Sequence, residues 1–441
     1  MTTVFAFLLV LGFLIFIHEM GHYLAARHVG VRVESFSIGF PPKLIGKQIG
    51  ETEYRLSWIP VGGYVQLSGQ NMHDEDPDDP RNYAAKSIFQ RLYILVAGPA
   101  MNLLVALLFM PLVYWMGVDS PGYLFSTPVV HQVAPATLAA ELGVQPGDEI
   151  LSINGQETSD WRTVSELTSA LSPDAPLTFE LYRNGAFLPV TGVYRTGEIG
   201  WVPRIPPIVG TLLENSAARA SGIVPGDRII RINDQLIQDW NEISPTVQAL
   251  QQQHRDSTRN DAASQPLRVE VERDSEPFWV DITPNFDPES GRYLLGMTLE
   301  MKKLSFSFGE AVQRGVGRLL YLVGATFSFL GQVISGQGSM DDVGGPLRIG
   351  KVIGEAAESG WTDLFFLTAI ISLQLGIFNL LPIPALDGGH ILLLFFEKLK
   401  GSPLSAVLRE RTQMVGFSVL LALMLFVTYN DLLQLFFKLP Q

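Results

Sequence analysis

Four long apolar segments, separated by polar stretches, set the pattern of this chain. They cover about 4–26, 92–116, 363–386 and 413–436. A helix that crosses a lipid bilayer needs about 20 consecutive, mostly apolar residues. The pattern therefore predicts a polytopic α-helical membrane protein with four transmembrane helices embedded in the bilayer.

A fifth apolar segment, 314–334, differs from the other four because it carries Arg314 and Arg318 one helical turn apart. A single basic stripe on an apolar helix is typical of a helix that lies in the membrane interface. The pattern favours an interfacial helix within a linker at 291–360, and it leaves a fifth span as the alternative.

Basic residues predict the orientation of the helices. The loop after the first helix contains Arg27, Arg32, Lys43, Lys47, Arg55, Arg81, Lys86 and Arg91. The loop between the third and fourth helices contains Lys398, Lys400, Arg409 and Arg411. Loops rich in Lys and Arg stay in the cytoplasm. Both termini and the segment 118–360 are then predicted on the outer side of the membrane.

The outer segment contains an internal repeat. Gly147-Asp148 aligns with Gly226-Asp227, and Trp161 aligns with Trp240, both at an offset of 79 residues. Each copy reads as a Pro-Gly-Asp turn, an alternating strand, a helix and a hairpin, which resembles the PDZ domain. We expect two small extracytoplasmic α/β domains at 118–198 and 199–290. PDZ domains add an extended peptide to a sheet edge and hold its C-terminus; the alternative is a tandem that binds no peptide.

The loop after the first helix predicts β-structure. Residues 32–40 and 54–69 are rich in aromatic and β-branched side chains, and Gly62-Gly63 lies within the second stretch. Such a composition is typical of a hairpin. We therefore expect a membrane-associated β-hairpin element inside a first domain, 1–117, that also contains helices one and two.

Composition narrows the chemistry. The chain is 47% hydrophobic and 17% charged, against about 25% charged in soluble domains. Its net charge is −13, so no nucleic-acid partner is expected. It contains no cysteine, which excludes disulfides and thiolate metal sites.

The first helix contains the motif His18-Glu19-Met20-Gly21-His22. Two histidines at positions i and i+4 share one helical face and can bind one zinc ion. Glu19 stands beside such a metal, where it can accept a proton from water. Ionisable residues inside a membrane helix need partners or a function. The motif therefore predicts a zinc site.

A catalytic zinc site takes a third protein ligand. The segment 379–390 offers two candidates, Asp387 and His390. Pro382 and Pro384 break the helix there, and broken backbone at membrane depth lines a cavity or is buried in protein. Asp387 is favoured because two glycines follow it, and His390 stays the alternative.

Together, His-Glu-x-x-His at 18–22 and Asn-x-x-Pro-x-Pro-x-Leu-Asp-Gly at 379–388 resemble the site-2 proteases, a family of intramembrane zinc metalloproteases. Within that family, the chain is most similar to the bacterial proteases that regulate sigma-E and carry tandem PDZ domains. The resemblance implies that Glu19 is the catalytic base. The implied zinc ligands are His18, His22 and Asp387, and the implied substrate-binding residues are Asn379, Pro382, Gly62 and Gly63.

The resemblance also implies a substrate and a location. The substrate would be a single-span membrane protein, such as an anti-sigma factor already shortened by another protease, or a remnant signal peptide. The location would be the bacterial inner membrane, with both termini and the PDZ-like domains in the periplasm. Helices three and four form the last predicted domain, 361–441. The alternative function is a non-catalytic PDZ membrane adaptor with a structural zinc.

Overall fold

The computed structural model describes residues 2–70, 79–195, 199–258, 264–288, 290–336, 344–402 and 404–436. The chain divides into two compact units. The first unit consists of Met1–Val118 and Ser305–Gln441, and the second consists of Asp119–Leu304.

The α-helices are α1 Thr2–His28, α2 Ile88–Met116, α3 Leu138–Glu141, α4 Trp161–Ser169, α5 Ala217–Ala220, α6 Ile243–Thr258, α7 Phe308–Ile334, α8 Pro346–Ser359, α9 Trp361–Leu380, α10 Asp387–Lys400 and α11 Ala406–Phe436. The strands are β1 Val33–Ile49, β2 Thr52–Leu67, β3 Val118–Pro121, β4 Val130–Val133, β5 Glu149–Ile153, β6 Gln156–Glu157, β7 Pro176–Arg183, β8 Ala186–Val193, β9 Trp201–Pro203, β10 Val209–Leu212, β11 Arg228–Ile232, β12 Gln235–Leu236, β13 Leu267–Arg273, β14 Glu276–Ile282, β15 Asn285–Asp287, β16 Arg292–Leu294, β17 Met297–Leu299 and β18 Met301–Leu304.

Among the described residues, five helices are long and apolar enough to cross a membrane: Thr3–His28, Ile88–Met116, Phe308–Val333, Trp361–Leu380 and Val407–Leu433. Four of them match the predicted spans. The additional helix is α7, which contains the segment predicted to lie in the interface. Length and hydropathy do not distinguish an interfacial helix from a spanning one, so the count of four spans stays a prediction.

The third predicted span ends earlier than the apolar pattern does. The pattern continues to residue 386, but α9 ends at Leu380 and α10 begins at Asp387. Pro382 and Pro384 cannot continue the helix because proline lacks the backbone N–H and clashes with the preceding turn. Asp387 therefore stands at the start of a new helix.

Helix α2 lies at the centre of the first unit, where it packs against α1, α7 and α9. Its start is fixed by a capping box, in which Ser87 and Gln90 bond each other's backbone and side chain. Buried side chains of α2 such as Ala106 and Met110 pack against Leu373 of α9. This packing sets the position of the motif at residues 18–22, because α1 lies against the same helix.

The predicted hairpin forms, with a more complex register than a simple hairpin. Ser37 of β1 pairs with both Tyr64 and Arg55 of β2. The first half of β1 thus lies between two parts of β2, and the segments run in the order 43–49, 52–57, 33–38 and 63–67. Residues 63–67 consequently form one edge of this sheet.

The second unit contains two copies of one topology. The strand orders β6-β5-β7-β8 and β12-β11-β13-β14 are equivalent. In the first copy, buried Asp148 accepts two hydrogen bonds of 2.6 Å from Arg183. In the second copy, buried Asp227 accepts bonds of 2.7 and 2.8 Å from Arg273. The repeat seen in the sequence therefore corresponds to two equivalent Pro-Gly-Asp turns.

Each copy also uses a strand beyond the boundary that the sequence predicts for it. Strand β9, after residue 198, pairs with β4. Strand β17, after residue 290, pairs with β10. The repeat alignment did not include these strands because they follow the matched hairpins, and the second unit extends to Leu304.

Candidate metal centre

His18 and His22 lie near the end of α1. The Nδ1 atom of His22 lies 2.8 Å from the carbonyl oxygen of Ile94 on α2. Because a carbonyl oxygen only accepts, Nδ1 donates its proton there, and the lone pair of Nε2 is left for a metal. Helix α2 thereby fixes the tautomer of one candidate ligand.

Two glycines allow α1 and α2 to approach this closely. A Cβ atom on Gly98 would lie 2.2 Å from Nε2 of His22. A Cβ atom on Gly21 would lie 2.3 Å from the carbonyl oxygen of Ala97. No side chain larger than hydrogen fits at either position, so the contact between the helices and the place of His22 depend on the same two residues.

Asp387 reaches the histidines from the first turn of α10. Gly388 and Gly389 let this turn pack against the break before it, because their Cβ atoms would lie 2.1 Å from the carbonyl oxygen of Leu381 and 2.4 Å from that of Ile383. The carboxylate is thus delivered by a proline-broken segment folded back on itself.

The three candidate donor atoms form a nearly equilateral triangle. Nε2 of His18 lies 3.2 Å from Nε2 of His22 and 3.2 Å from Oδ2 of Asp387. Nε2 of His22 lies 3.5 Å from Oδ2 of Asp387. In a tetrahedral zinc site with bonds of about 2.0–2.1 Å, neighbouring donors lie about 3.3–3.4 Å apart. Two imidazoles and one carboxylate at these distances fit one zinc ion with a fourth position open.

A cavity of about 450 Å³ opens at the triangle. It is lined by His18, Glu19, His22, Asp387, Asn379, Gly62, Gly63 and Tyr64, among others. Glu19 is 8% exposed, next to the candidate ligands. Pro382 is exposed and is not among the residues that line this cavity. The structure therefore brings together every residue that the sequence predicted for the site except Pro382.

His390, the alternative third ligand, also lines the cavity. Its Nε2 atom lies 3.3 Å from the amide nitrogen of Gln413. Among the described residues, the one group of histidine and carboxylate donors that can hold a metal consists of His18, His22 and Asp387. The geometry favours Asp387 over His390.

Two residues of the site were not predicted from the sequence. Gly98 and Asn102 face His22 and His18 from one side of α2. They stand one helical turn apart, as the histidines do on α1. A polar residue within an apolar helix was the available signal, since such residues are usually functional.

Comparison with known proteins finds one family and several relatives over nearly the whole chain. The model of peptidase family M50 matches residues 6–423. The regulator of sigma-E protease of Escherichia coli is 33% identical over 460 residues, and the regulator of sigma E protease of Haemophilus influenzae is 30% identical over 457 residues. A relative from Vibrio cholerae, 30% identical over 463 residues, has a name that describes it as a zinc metalloprotease. Each alignment covers 98% of both chains.

Proposed function

Since the chain belongs to peptidase family M50, we propose that it is an intramembrane zinc metalloprotease whose metal is held by His18, His22 and Asp387. It hydrolyses a peptide bond within the transmembrane segment of single-span membrane proteins. The observation that carries this proposal is the triangle of donor atoms, 3.2–3.5 Å on each side, at a cavity that Glu19 also lines.

The relatives are regulators of sigma-E, and the proposed pathway follows from them. We place this protease in the sigma-E envelope stress response, with a pre-shortened anti-sigma factor as substrate and remnant signal peptides as further substrates. The proposed location is the bacterial inner membrane, with both termini and the repeat unit in the periplasm. Five helices of suitable length and hydropathy support the membrane location.

The residues that line the cavity suggest the role of each group in the reaction. A zinc ion at the triangle would supply a Lewis acid that polarises the scissile carbonyl and acidifies water. Glu19 accepts the proton of the attacking water and returns it to the leaving amide nitrogen. Asn379 lines the same cavity and offers an amide to the substrate backbone. Pro382 follows the end of α9 and contributes to substrate binding through the break that it makes in the helix.

The edge segment 63–67 is proposed to bind the substrate. A helical substrate must unwind before cleavage, and each exposed amide in lipid costs several kcal/mol. A sheet edge re-forms those hydrogen bonds by strand addition. Gly63, Tyr64 and Val65 of this edge line the cavity. Ile45, Trp58 and other large apolar side chains of the same sheet are exposed, as expected for an element in contact with lipid.

The two copies in the second unit are proposed to be PDZ-like domains that bind peptide C-termini. Their shared strand order and their equivalent Asp148 and Asp227 turns support this assignment. The newly formed C-terminus of a substrate already cut outside the membrane is the proposed ligand.

A non-catalytic adaptor with a structural zinc is the competing function. A structural zinc is usually held by four protein ligands. Within the described residues, the metal-binding group contains three. An open fourth position next to Glu19 favours catalysis.

The test is cleavage of a tagged single-span protein by the purified chain in detergent, with zinc content measured in parallel. Glu19→Gln should retain zinc and lose cleavage by about 10²–10⁴-fold, because the base is missing while the ligands remain. His28→Ala, which changes an exposed histidine at the end of α1, is the matched control and should behave as wild type. Full cleavage by zinc-loaded Glu19→Gln would refute the mechanism.

The ligand set has its own test. Asp387→Asn should lose zinc, whereas His390→Ala should retain it. If Asp387→Asn retains zinc and His390→Ala loses it, His390 is the third ligand. Zinc bound normally by both variants would refute a third ligand from this segment.

A further inference from the structure

We propose that Asn102 is a positioning residue of the metal centre, which holds the Nδ1 proton of His18 and so presents Nε2 to the metal. The inference rests on the proposed zinc site and adds a residue that neither motif contains. Asn102 belongs to α2 and is 1% exposed. Its amide nitrogen lies 3.4 Å from Nδ1 of His18.

In the orientation that its side-chain amide has in the structure, Asn102 leaves one polar atom without a hydrogen bond. The side-chain oxygen Oδ1 is buried and has no hydrogen-bond partner among the described residues. A buried polar atom without a partner costs about 1–3 kcal/mol. The amide nitrogen, which can only donate, faces the His18 ring.

The chemistry of a metal-bound imidazole resolves both points. When Nε2 binds a metal, the neutral ring carries its proton on Nδ1, and that proton needs an acceptor. Exchanging the oxygen and nitrogen of a side-chain amide leaves its shape unchanged. The exchange places Oδ1 of Asn102 opposite Nδ1 of His18, so that the ring donates and the orphaned oxygen accepts.

The same arrangement already exists for the other histidine. Nδ1 of His22 donates to the carbonyl oxygen of Ile94, which also lies on α2. Helix α2 would thus hold both rings, one through its backbone and one through Asn102. The hydroxyl of Ser372 donates a 2.7 Å bond to the backbone carbonyl of Asn102, which ties this turn of α2 to α9.

The test is the zinc affinity of the full chain in detergent, measured by competition with a chelator. Asn102→Leu keeps the approximate volume and removes the acceptor, and Asn102→Ala removes it without adding bulk. Both should weaken zinc binding by about 10–100-fold, the usual effect of losing such a partner. Asn102→Asp restores an acceptor and should bind at least about tenfold tighter than either.

Gln374→Leu is the matched control, since it removes another side-chain amide of the apolar helices, one that bonds Thr326 and is not among the residues that line the cavity. Its zinc affinity should equal that of wild type. Thermal unfolding of the metal-free variants shows whether a weaker affinity reflects a damaged fold, and the Ala and Asp variants decide the matter if the Leu variant does not fold. A purely structural role would not predict rescue by aspartate.

Two results would overturn the inference. One is wild-type zinc affinity in the Leu or Ala variant. The other is an Asp variant as weak as Ala with the same metal-free stability. Failure of the proposed function looks different, because wild type would then bind no zinc, or His18→Ala would bind it as well as wild type does.

Discussion

Gly98 is a residue at which one added methyl group should damage the metal centre directly. The Cβ atom of an alanine there would lie 2.2 Å from Nε2 of His22. Helix α1 cannot simply shift along its contact, because Gly21 is packed against Ala97 with the same lack of space. Gly98→Ala should therefore lower zinc affinity at least about tenfold and lower cleavage in proportion.

Gly12→Ala is the control for that variant, because a Cβ atom at Gly12 of α1 has nothing within 4 Å. Zinc affinity from chelator competition and cleavage of a single-span substrate are the measurements. Wild-type zinc affinity in Gly98→Ala would mean that α1 and α2 separate without moving His22.

The sequence identified some residues of the site and missed others for a physical reason. His18, Glu19 and His22 lie within two turns of one helix, so their spacing alone brings them together. Asp387 could be predicted because cysteine is absent and few carboxylates stand in apolar segments. Gly98 and Asn102 act only through the register of α2 against α1, and no local spacing encodes that register.

At the scale of elements, the edge of the β-sheet also packs closely against α1. A Cβ atom on Gly63 would lie 2.8 Å from Ile15 Cγ2, 2.8 Å from the carbonyl oxygen of Ser37 and 2.9 Å from Cγ of Glu19. Gly63→Ala should move the edge or Glu19. Cleavage should fall by up to about 100-fold, which a misplacement of about 1 Å can cost, while zinc affinity stays unchanged.

Gly46→Ala tests the same sheet away from the cavity, where the nearest atom to the new Cβ would be 3.1 Å away. It should cleave at close to the wild-type rate. Loss of zinc from Gly63→Ala, or unchanged cleavage, would contradict a role of this edge in binding and positioning.

Within the second unit, the turn at Asp227 predicts a dependence of stability on pH. Burial raises the pKa of this carboxyl, but the bonds from Arg273 and from the Val224 backbone outweigh it and leave the pKa below its ordinary value of 3.8. A carboxyl whose pKa is depressed on folding stabilises the fold at pH values above its unfolded-state pKa. That stabilisation is lost as the pH falls from about 4 through the folded-state pKa.

Hydrogen exchange of the full chain between pH 3 and 6 measures this effect. Protection of the amides in β11 and β13 should fall below about pH 4. Asp227→Asn should show lower protection at pH 6 and a weaker dependence on pH. Equal pH dependence in wild type and variant would assign the effect to other carboxyls.

Elements were predicted better than their boundaries. Apolar length identified the helices, but the end of α9 was set by Pro382 and Pro384 rather than by hydropathy. The repeat identified two similar modules, yet β9 and β17 lie past their predicted ends. The doubled pairing of β1 was not predictable because it depends on contacts between distant parts of β2.

At the scale of the whole molecule, charge and helix count give different topologies. Four spans leave both basic loops in the cytoplasm, which agrees with the positive-inside rule. Five spans would place the loop with Lys398 and Lys400 outside. The decisive element is α7, whose Arg314 and Arg318 stack on the rings of Phe306 and Tyr321 at 4.2 and 5.3 Å. A helix with such a basic stripe suits the interface.

Because the chain has no cysteine, single substitutions give clean reporters for an impermeant maleimide applied to spheroplasts. Glu157→Cys in the repeat unit should label from outside, and Lys400→Cys should label only after lysis. Ser335→Cys, just after α7, decides the topology because its side is set by whether α7 crosses. If α7 is interfacial, Ser335→Cys should label from outside, as Glu157→Cys does. Protection of Ser335→Cys together with outside labelling of Lys400→Cys would establish five spans, and the last basic loop would then break the positive-inside rule.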